Sequence, residues 1–246
     1  MKSRAPFPHL PLLTLSNLRP AVFLRRRNRF VGIAEIGGSR FDIHVADPGR
    51  LTELLYPGNS ILVRPAPIGS HRRTRWSLMA GMGESGWVLL NTFLHRRIAE
   101  SLLSKPAISP FGELRAWKAE VCPAGFASRF DFHLEPEEGG PVWLEVKGCT
   151  LKRGRRALFP DAPTTRGTRH MKELAVLSRD GNRCAVMFLV FPGGVQCFAP
   201  NGMTDPDFEA AFREALDSGV TVHPLQLGFN GSEVTFSDML PICPGF

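Results

Sequence analysis

The chain has 246 residues, enough for one large domain or two smaller ones, and 43% of them are hydrophobic, an ordinary globular share. Its formal net charge of +7 points to an anionic partner, either nucleic acid or an acidic membrane face. No segment approaches the roughly 20 apolar residues of a membrane-spanning helix, and the opening MKSRAPFPHLPLLTLSNLRP is broken by prolines and lacks the apolar run of a secretory signal, so a soluble, cytoplasmic protein is expected.

In chain order, RFVGIAEIGG, SRFDIHVAD and NSILVRPAP are short and rich in β-branched or apolar residues. Gly37-Gly38, Asp47-Pro48-Gly49 and Pro57-Gly58 punctuate them as turns. RLTELLY, between the second and third, reads as a helical turn, and RWSLMAGM and GWVLLN continue the strand pattern. Short strands in succession without long helices predict a small β-barrel, specifically a five-stranded OB-type barrel, an architecture that binds oligonucleotides on one face. The texture changes after Asn91-Thr92. TFLHRRIAESLLSK has helical spacing at Phe93, Leu94, Ile98, Leu102 and Leu103. SRFDFHL and PVWLEVKGCTL form a predicted hairpin around EPEEGG, and TRGTRHMKELAVLSRDG a helix with a Gly stop. CAVMFLVF is a continuous apolar run suited to a central strand covered on both faces. DPDFEAAFREALDSGV is an amphipathic helix with Asp205 as N-cap, Pro206 in the first turn and Gly219 at its end. VTVHPLQLGF is read as the last strand. The sequence therefore divides into an OB-like barrel domain, 1–92, and an α/β domain with a mixed central sheet, 93–246.

The five cysteines, Cys122, Cys149, Cys184, Cys197 and Cys243, form no CxxC pair, and their number is odd. That argues against a disulfide framework and against a zinc ribbon, and free thiols are expected. The basic residues, in contrast, cluster. Arg25, Arg26, Arg27 and Arg29 form one group; Arg72, Arg73 and Arg75 a second; Lys152, Arg153, Arg155 and Arg156 a third; Arg166, Arg169 and Lys172 a fourth. Singly, each is compatible with a solvated face. Together they favour a phosphate-binding surface, to which Arg50 and Arg129 are added as candidates. Arg166, Arg169 and His170 stand at a helix start, where free N–H groups favour an anion.

The chemistry concentrates on the hairpin. Strand alternation puts Arg129, Asp131 and His133 on one face of SRFDFHL, and Trp143, Glu145 and Lys147 on one face of the following strand. With EPEEGG closing the turn, Asp131 and Glu145 fall at or near opposed positions, where Cβ atoms lie about 4.5–5.5 Å apart. Two adjacent carboxylates either share a proton or attract a cation, and Mg²⁺ or Mn²⁺ suits an all-oxygen site completed by water. Lys147 would orient or deprotonate an attacking water, or stabilise charge on the phosphorus centre. Asp, a turn, then Glu-x-Lys is the logic of a PD-(D/E)xK nuclease; its alternative is a solvated Asp/Glu/Lys cluster on an outer face. Glu120 and Glu100 are candidates for a further acid, and Asp161 is read as a turn residue or a cap on the approach to the helix.

SRFDF, EVKGCTL and ALFPDAPTTRGTRHMKEL together resemble the sugar fermentation stimulation protein A (SfsA) family, densely across 128–174. The likeness extends more loosely through DPGRLTELLYPG, RRTRWSL, GWVLLNT and DPDFEAAFREALDSGVTV. The resemblance implies an OB-fold domain followed by a nuclease-like α/β domain, DNA binding, and a part in regulating sugar (maltose) metabolism. It places the family's acidic and lysine positions on Asp131, Glu145 and Lys147, its turn motif on Pro160-Asp161-Ala162, and its Arg-Gly pair on Arg166-Gly167. Departures lie at His44-Val45-Ala46-Asp47-Pro48-Gly49-Arg50, where the family has His-Cys-Pro-Asn-x-Gly-Arg. A further departure is Gly148-Cys149, where it has Asn-Val, and Arg169 replaces a Lys. Three functions follow as expectations: a Mg²⁺-dependent DNA phosphodiesterase, a non-catalytic DNA-binding regulator on a nuclease fold, or an RNA-processing or repair factor. DNA, double- or single-stranded, is the expected partner. Anionic membrane is disfavoured for want of a basic amphipathic helix with a broad apolar face. The oligomeric state is left open, a homodimer included.

Overall fold

The computed structural model describes residues 10–67, 69, 72–126 and 128–246. Residues 1–9 of the opening stretch read for a secretory signal lie outside the described residues. The first strand, β1 (Leu10–Thr14), is followed by β2 (Arg19–Asn28), β3 (Val31–Ile36), β4 (Ser39–His44), β5 (Ser60–Pro65), β6 (Trp76–Gly83) and β7 (Gly86–Leu89). Strands β4-β3-β2-β5-β6 are neighbours in that order, and a parallel pairing of β4 with β6, Ile43 opposite Trp76, closes them into a five-stranded barrel. The OB-type barrel expected from the sequence is present. Strand β2 was hidden in the sequence by its basic residues: Ala21 and Phe23 point inward, while Val22, Arg25 and Arg27 are exposed. Two irregularities in its pairing with β3, at Phe23/Arg25 and Arg26/Asn28, let this long strand bend around the barrel.

A short 3-10 turn, Thr92–Leu94, leads into α1 (His95–Leu103) and the second sheet. There follow β8 (Leu114–Val121), β9 (Phe130–Pro136), β10 (Val142–Cys149), β11 (Leu151–Arg153), β12 (Arg156–Phe159), α2 (Thr165–Arg179), β13 (Arg183–Val190), β14 (Cys197–Pro200), α3 (Pro206–Asp217), β15 (Thr221–Phe229) and β16 (Glu233–Met239). Seven strands form a mixed sheet in the order β1-β16-β15-β13-β10-β9-β8, with β10, β13 and β15 parallel at its centre. β11, β12 and β14 form a smaller sheet, its hairpin turning through Gly154 at φ +57°, a left-handed conformation that favours glycine. VTVHPLQLGF is not the last strand, as the sequence suggested. β16 returns antiparallel to β15 and carries β1 on its outer edge. The Ser, Asp and Glu side chains of β16 obscured its alternation of buried Val234 and Phe236.

The run CAVMFLV becomes β13 and is buried on both faces. Ala185, Met187 and Leu189 join a core shared with the barrel and α1; Val186, Phe188 and Val190 join a second core beneath α2 and α3. Phe188 packs among Phe159, Phe198 and Phe212, and truncating such a side chain to Ala costs about 3–5 kcal/mol. The helix at Pro206 starts as the sequence suggests, Asp205 accepting from Phe208 N–H with Pro206 behind it, whereas the cap of α2 is Thr164, which accepts from Gly167 N–H.

The expectation of five free thiols fails at one pair. After β16 the chain runs back beside β14, with Phe198 N–H donating to Pro241 and Cys243 N–H to Phe198. That return brings the Cα atoms of Cys197 and Cys243 to 5.0 Å, within disulfide range, and the two sulfurs are bonded. Cys122, Cys149 and Cys184 are free. Among the described residues no helix is long and apolar enough to cross a membrane.

Candidate active site

β9 and β10 pair antiparallel, with Val142 opposite Leu134, Trp143 opposite His133 and Leu144 opposite Phe132. Continued by one residue, this register sets Glu145 against Asp131, as strand alternation predicts. The backbone ladder stops there because a side chain replaces it: Val146 N–H donates to Asp131 Oδ2 at 2.7 Å. The polar face is not an outer, solvated face. β13 pairs the far side of β10, and α2 lies over the Trp143–Glu145 side, so Glu145 is only 2% exposed.

Three groups define the electrostatics around Glu145. Its Oε1 accepts from Lys147 Nζ at 2.5 Å and lies 2.5 Å from His170 Nδ1. Its Oε2 is buried and has no hydrogen-bond partner. Burial pushes the Glu145 carboxyl upward, but Lys147 and His170 outweigh it and hold the group below its ordinary range. Asp131 moves the opposite way. Burial, then the adjacent Glu145 charge, raise it to about 7 against the smaller opposing effects of the Val146 N–H, Lys147 and Arg166. The pair thus comprises one carboxylate held ionised and one that titrates near neutrality.

Asp131, Glu145 and Lys147 line a cleft of about 450 Å³ between the sheet and the barrel. The barrel supplies the opposite wall through Asp47, Pro48 and Gly49. Arg26 pins that loop from behind, donating to the carbonyls of Asp47, Gly49, Arg50 and Arg29. Asp47 Oδ1 accepts from Gly49 N–H, and burial lifts the Asp47 carboxyl to about 6. From the other domain, Asp161 Oδ2 accepts from Leu51 N–H at 3.0 Å. Gly49 sits so close to Asp161 that a Cβ there would lie 2.4 Å from its carboxylate. His95, the first residue of α1, packs on Gly148, where a Cβ would lie 2.2 Å from the imidazole, and stacks on Phe191. Burial lowers His95 to about 4, so its ring is neutral at pH 7.

The remaining sequence candidates scatter. Glu120 lines the cleft at φ +54°, between Arg96 and Arg129; Glu100 pairs with Arg96 on α1 and does not line the cleft. Among the basic cluster residues described, Arg29 and Arg166 border the cleft. His170 is 1% exposed, so its ring is out of reach of a surface phosphate and serves Glu145 instead. Arg26 is spent on the loop carbonyls, and Arg27 pairs with Asp42. Lys152 bonds Glu84 and Ser85, Arg153 approaches Met203 Sδ, and Arg169 bonds Ser128. Arg72 donates to Ser77, and Arg25, Arg50 and Arg73 are exposed. Asp161 caps no helix; it ties the two domains together. Sequence reasoning missed Asp47 and His95 as cleft residues. For His170 a signal existed: it falls in phase with Gly167, Met171 and Leu174, the buried stripe of α2.

The two carboxylates fit a hard cation. Glu145 Oε2 is a buried oxygen lacking a donor, beside a second carboxylate, in a cleft open to water. Among the described residues no group of three or more His, Cys, Asp and Glu is arranged to hold a metal, so water or a phosphate oxygen would complete the coordination.

Residues 93–233 match the family model described as the sugar fermentation stimulation protein RE domain, and residues 24–90 that of the SfsA N-terminal OB domain. The sugar fermentation stimulation protein homolog of Methanococcoides burtonii is 41% identical over 231 residues, 91% of each chain. That of Pyrobaculum arsenaticum is 45% identical over 205 residues, 83% of this chain and 85% of the relative. A solved structure, Pyrococcus furiosus SfsA in complex with Ca²⁺, superposes with a TM-score of 0.85 at 30% identity, covering 95% of this chain and 99% of that one. With both domains matched in order and relatives above 40% identity along most of its length, this chain belongs to the sugar fermentation stimulation protein (SfsA) family.

Proposed function

We propose that this chain is a DNA-binding, divalent-metal-dependent phosphodiesterase whose site is built on Asp131, Glu145 and Lys147. The observation that carries the reading is Glu145 Oε2, a buried anionic oxygen without a donor, beside Asp131 in the inter-domain cleft. Asp131 and Glu145 would hold Mg²⁺ or Mn²⁺, which when bound polarises a phosphate and acidifies water. That a relative's structure is described as a Ca²⁺ complex supports an oxygen-donor cation site in this fold. His170, on the buried face of α2, keeps Glu145 ionised and oriented. Lys147, held by Glu145, delivers positive charge to the cleft, where it orients the attacking water and stabilises the pentavalent phosphorus centre. Arg166, from the first turn of α2, offers a second positive charge to the phosphate. The net charge of +7 supports retention of a polyanion.

The test is cleavage of labelled single- and double-stranded DNA in Mg²⁺ or Mn²⁺, with titration calorimetry of the metal. Cleavage and metal binding, both abolished in Asp131→Ala, support the reading. Wild-type cleavage no greater than that of Asp131→Ala or Lys147→Ala protein ends the catalytic claim. One observation favours a second reading, a non-catalytic DNA-binding regulator in keeping with the family's name: the Lys147 ammonium already pairs with the Glu145 carboxylate. Salt-sensitive DNA binding with no metal uptake would select it.

A further inference from the structure

The 3-10 turn Thr92–Leu94 has two sides. Thr92 and the following His95 line the metal cleft, whereas Asn91, Phe93 and Leu94 line a separate groove of about 230 Å³ on the barrel. Phe93 is 70% exposed, one of the most exposed large apolar side chains described. One face of its ring stacks on His44, with centroids 6.0 Å apart and planes within 4° of parallel. Two observations show that this is a fixed platform rather than a loose side chain. Thr92 Oγ1 donates to the carbonyl of Ala46, pinning the turn to the strand end that carries His44. Leu94, the next residue, is buried in the core.

The surroundings select the occupant. The groove is walled by Arg64, Pro65, Pro67 and Arg72, so positive charge flanks an exposed aromatic face. Asn91 is buried at the same groove, its amide N–H₂ donating to the Leu78 carbonyl while its Oδ1 meets no donor. A flat, exposed π-face beside arginines and an acceptor without a donor match an unpaired nucleobase and its phosphates. A duplex cannot use this platform, because its bases are stacked on one another. Resting on the DNA-binding reading above, we propose that Phe93, backed by His44, stacks an unpaired base of single-stranded DNA. Arg64 and Arg72 meet the neighbouring phosphates, and the strand passes across the turn into the metal cleft. The chain would therefore prefer single-stranded or frayed DNA to blunt duplex.

The test measures binding alone, in EDTA, by fluorescence anisotropy of labelled oligo-dT, the matched blunt duplex and oligo-U, using the full-length chain. Removing a base–aromatic stack weakens binding about tenfold. Phe93→Ala is expected to lose about that factor on oligo-dT and nothing on duplex. Phe93→Leu, which keeps apolar bulk without a π-face, should lose as much, and Phe93→Trp should bind like the wild type. Since Phe93 is exposed, these variants should melt with the parent. Equal losses on single strand and duplex, or no loss with Ala, would overturn the platform while leaving the phosphodiesterase reading intact. Tighter binding of oligo-U than oligo-dT would overturn its assignment to DNA. Retention of no nucleic acid at low salt would overturn both.

Discussion

The two walls of the cleft use the same residue types to opposite ends. On the sheet wall, Asp131 and Glu145 face each other, and the charge of Glu145 is met by Lys147 and His170 while one oxygen is left without a donor. Across the cleft, Asp47 of the barrel and Asp161, which reaches the barrel from the loop before α2, direct oxygens at backbone N–H groups, of Gly49 and Leu51, and no side-chain cation reaches them in a hydrogen bond among the contacts described. The difference teaches how a carboxylate kept open to a ligand, as proposed for Glu145, differs from a structural one. Backbone N–H groups fix a carboxylate in place, whereas an oxygen left bare inside a protein is held at a cost and awaits a ligand.

The largest expected effect breaks the comparison on the sheet wall. Lys147→Ala and Asp131→Asn should each lower DNA cleavage by about a hundredfold or more, the scale of losing one preorganised charge, with far-ultraviolet circular dichroism unchanged. Asp161→Asn should retain most of the rate. An equal loss there would erase the distinction between the walls.

On the barrel wall the effect is stability. Gly49→Ala places a methyl group against the Asp161 carboxylate, and overpacking of this kind costs about 1–3 kcal/mol. Thermal melts should fall by several degrees. The double variant Gly49→Ala/Asp161→Ala should recover part of the loss, since the obstructing carboxylate is gone.

A pH series sharpens the comparison less steeply. Asp47 and Asp131, ordinarily near 3.8, are raised to about 6 and about 7. Both hold their proton more tightly folded than unfolded. Their contribution to stability is therefore fully present below the ordinary value and is lost as pH rises through 6 for Asp47 and 7 for Asp131. Melting temperature should decline across that window and level above it, and Asp131→Asn should remove the upper part of the decline. Added Mg²⁺ should raise the melting temperature more above the window than below it, because a protonated Asp131 is a poor ligand. The smallest effect belongs to Glu100, which meets Arg96 at the surface. Glu100→Gln should change stability by less than about 0.5 kcal/mol and leave cleavage alone.

What could be read from the sequence was local. Asp131, Glu145 and Lys147 emerge from period-two alternation and one hairpin turn, both fixed within 17 residues of chain. Asp205 and Gly219 mark their helix for the same reason. The barrel wall was illegible because its key bond, Asp161 to Leu51, spans 110 residues. His170 was misassigned because a basic first turn suggests an anion, although the phase of α2 turns that ring inward. The Cys197–Cys243 bond depends on a tail that doubles back beside β14, and nothing in the spacing of 46 residues announces it. Within the basic clusters, Arg26 and Lys152 are held by groups of the protein itself, partnerships that clustering in sequence does not reveal.

Because β1 forms the outer edge of the second sheet while β2–β6 close the barrel and β7 extends β6, the barrel is an insertion, grasped like a handle by two covalent stems, at residues 15–18 and 90–91. A fragment starting at residue 93 would lack β1 and bare the hydrogen-bonding edge of β16, an open template for self-association. A circular permutant that instead opens the handle within the barrel would keep every strand of the large sheet, and is the sounder route to dissecting this protein.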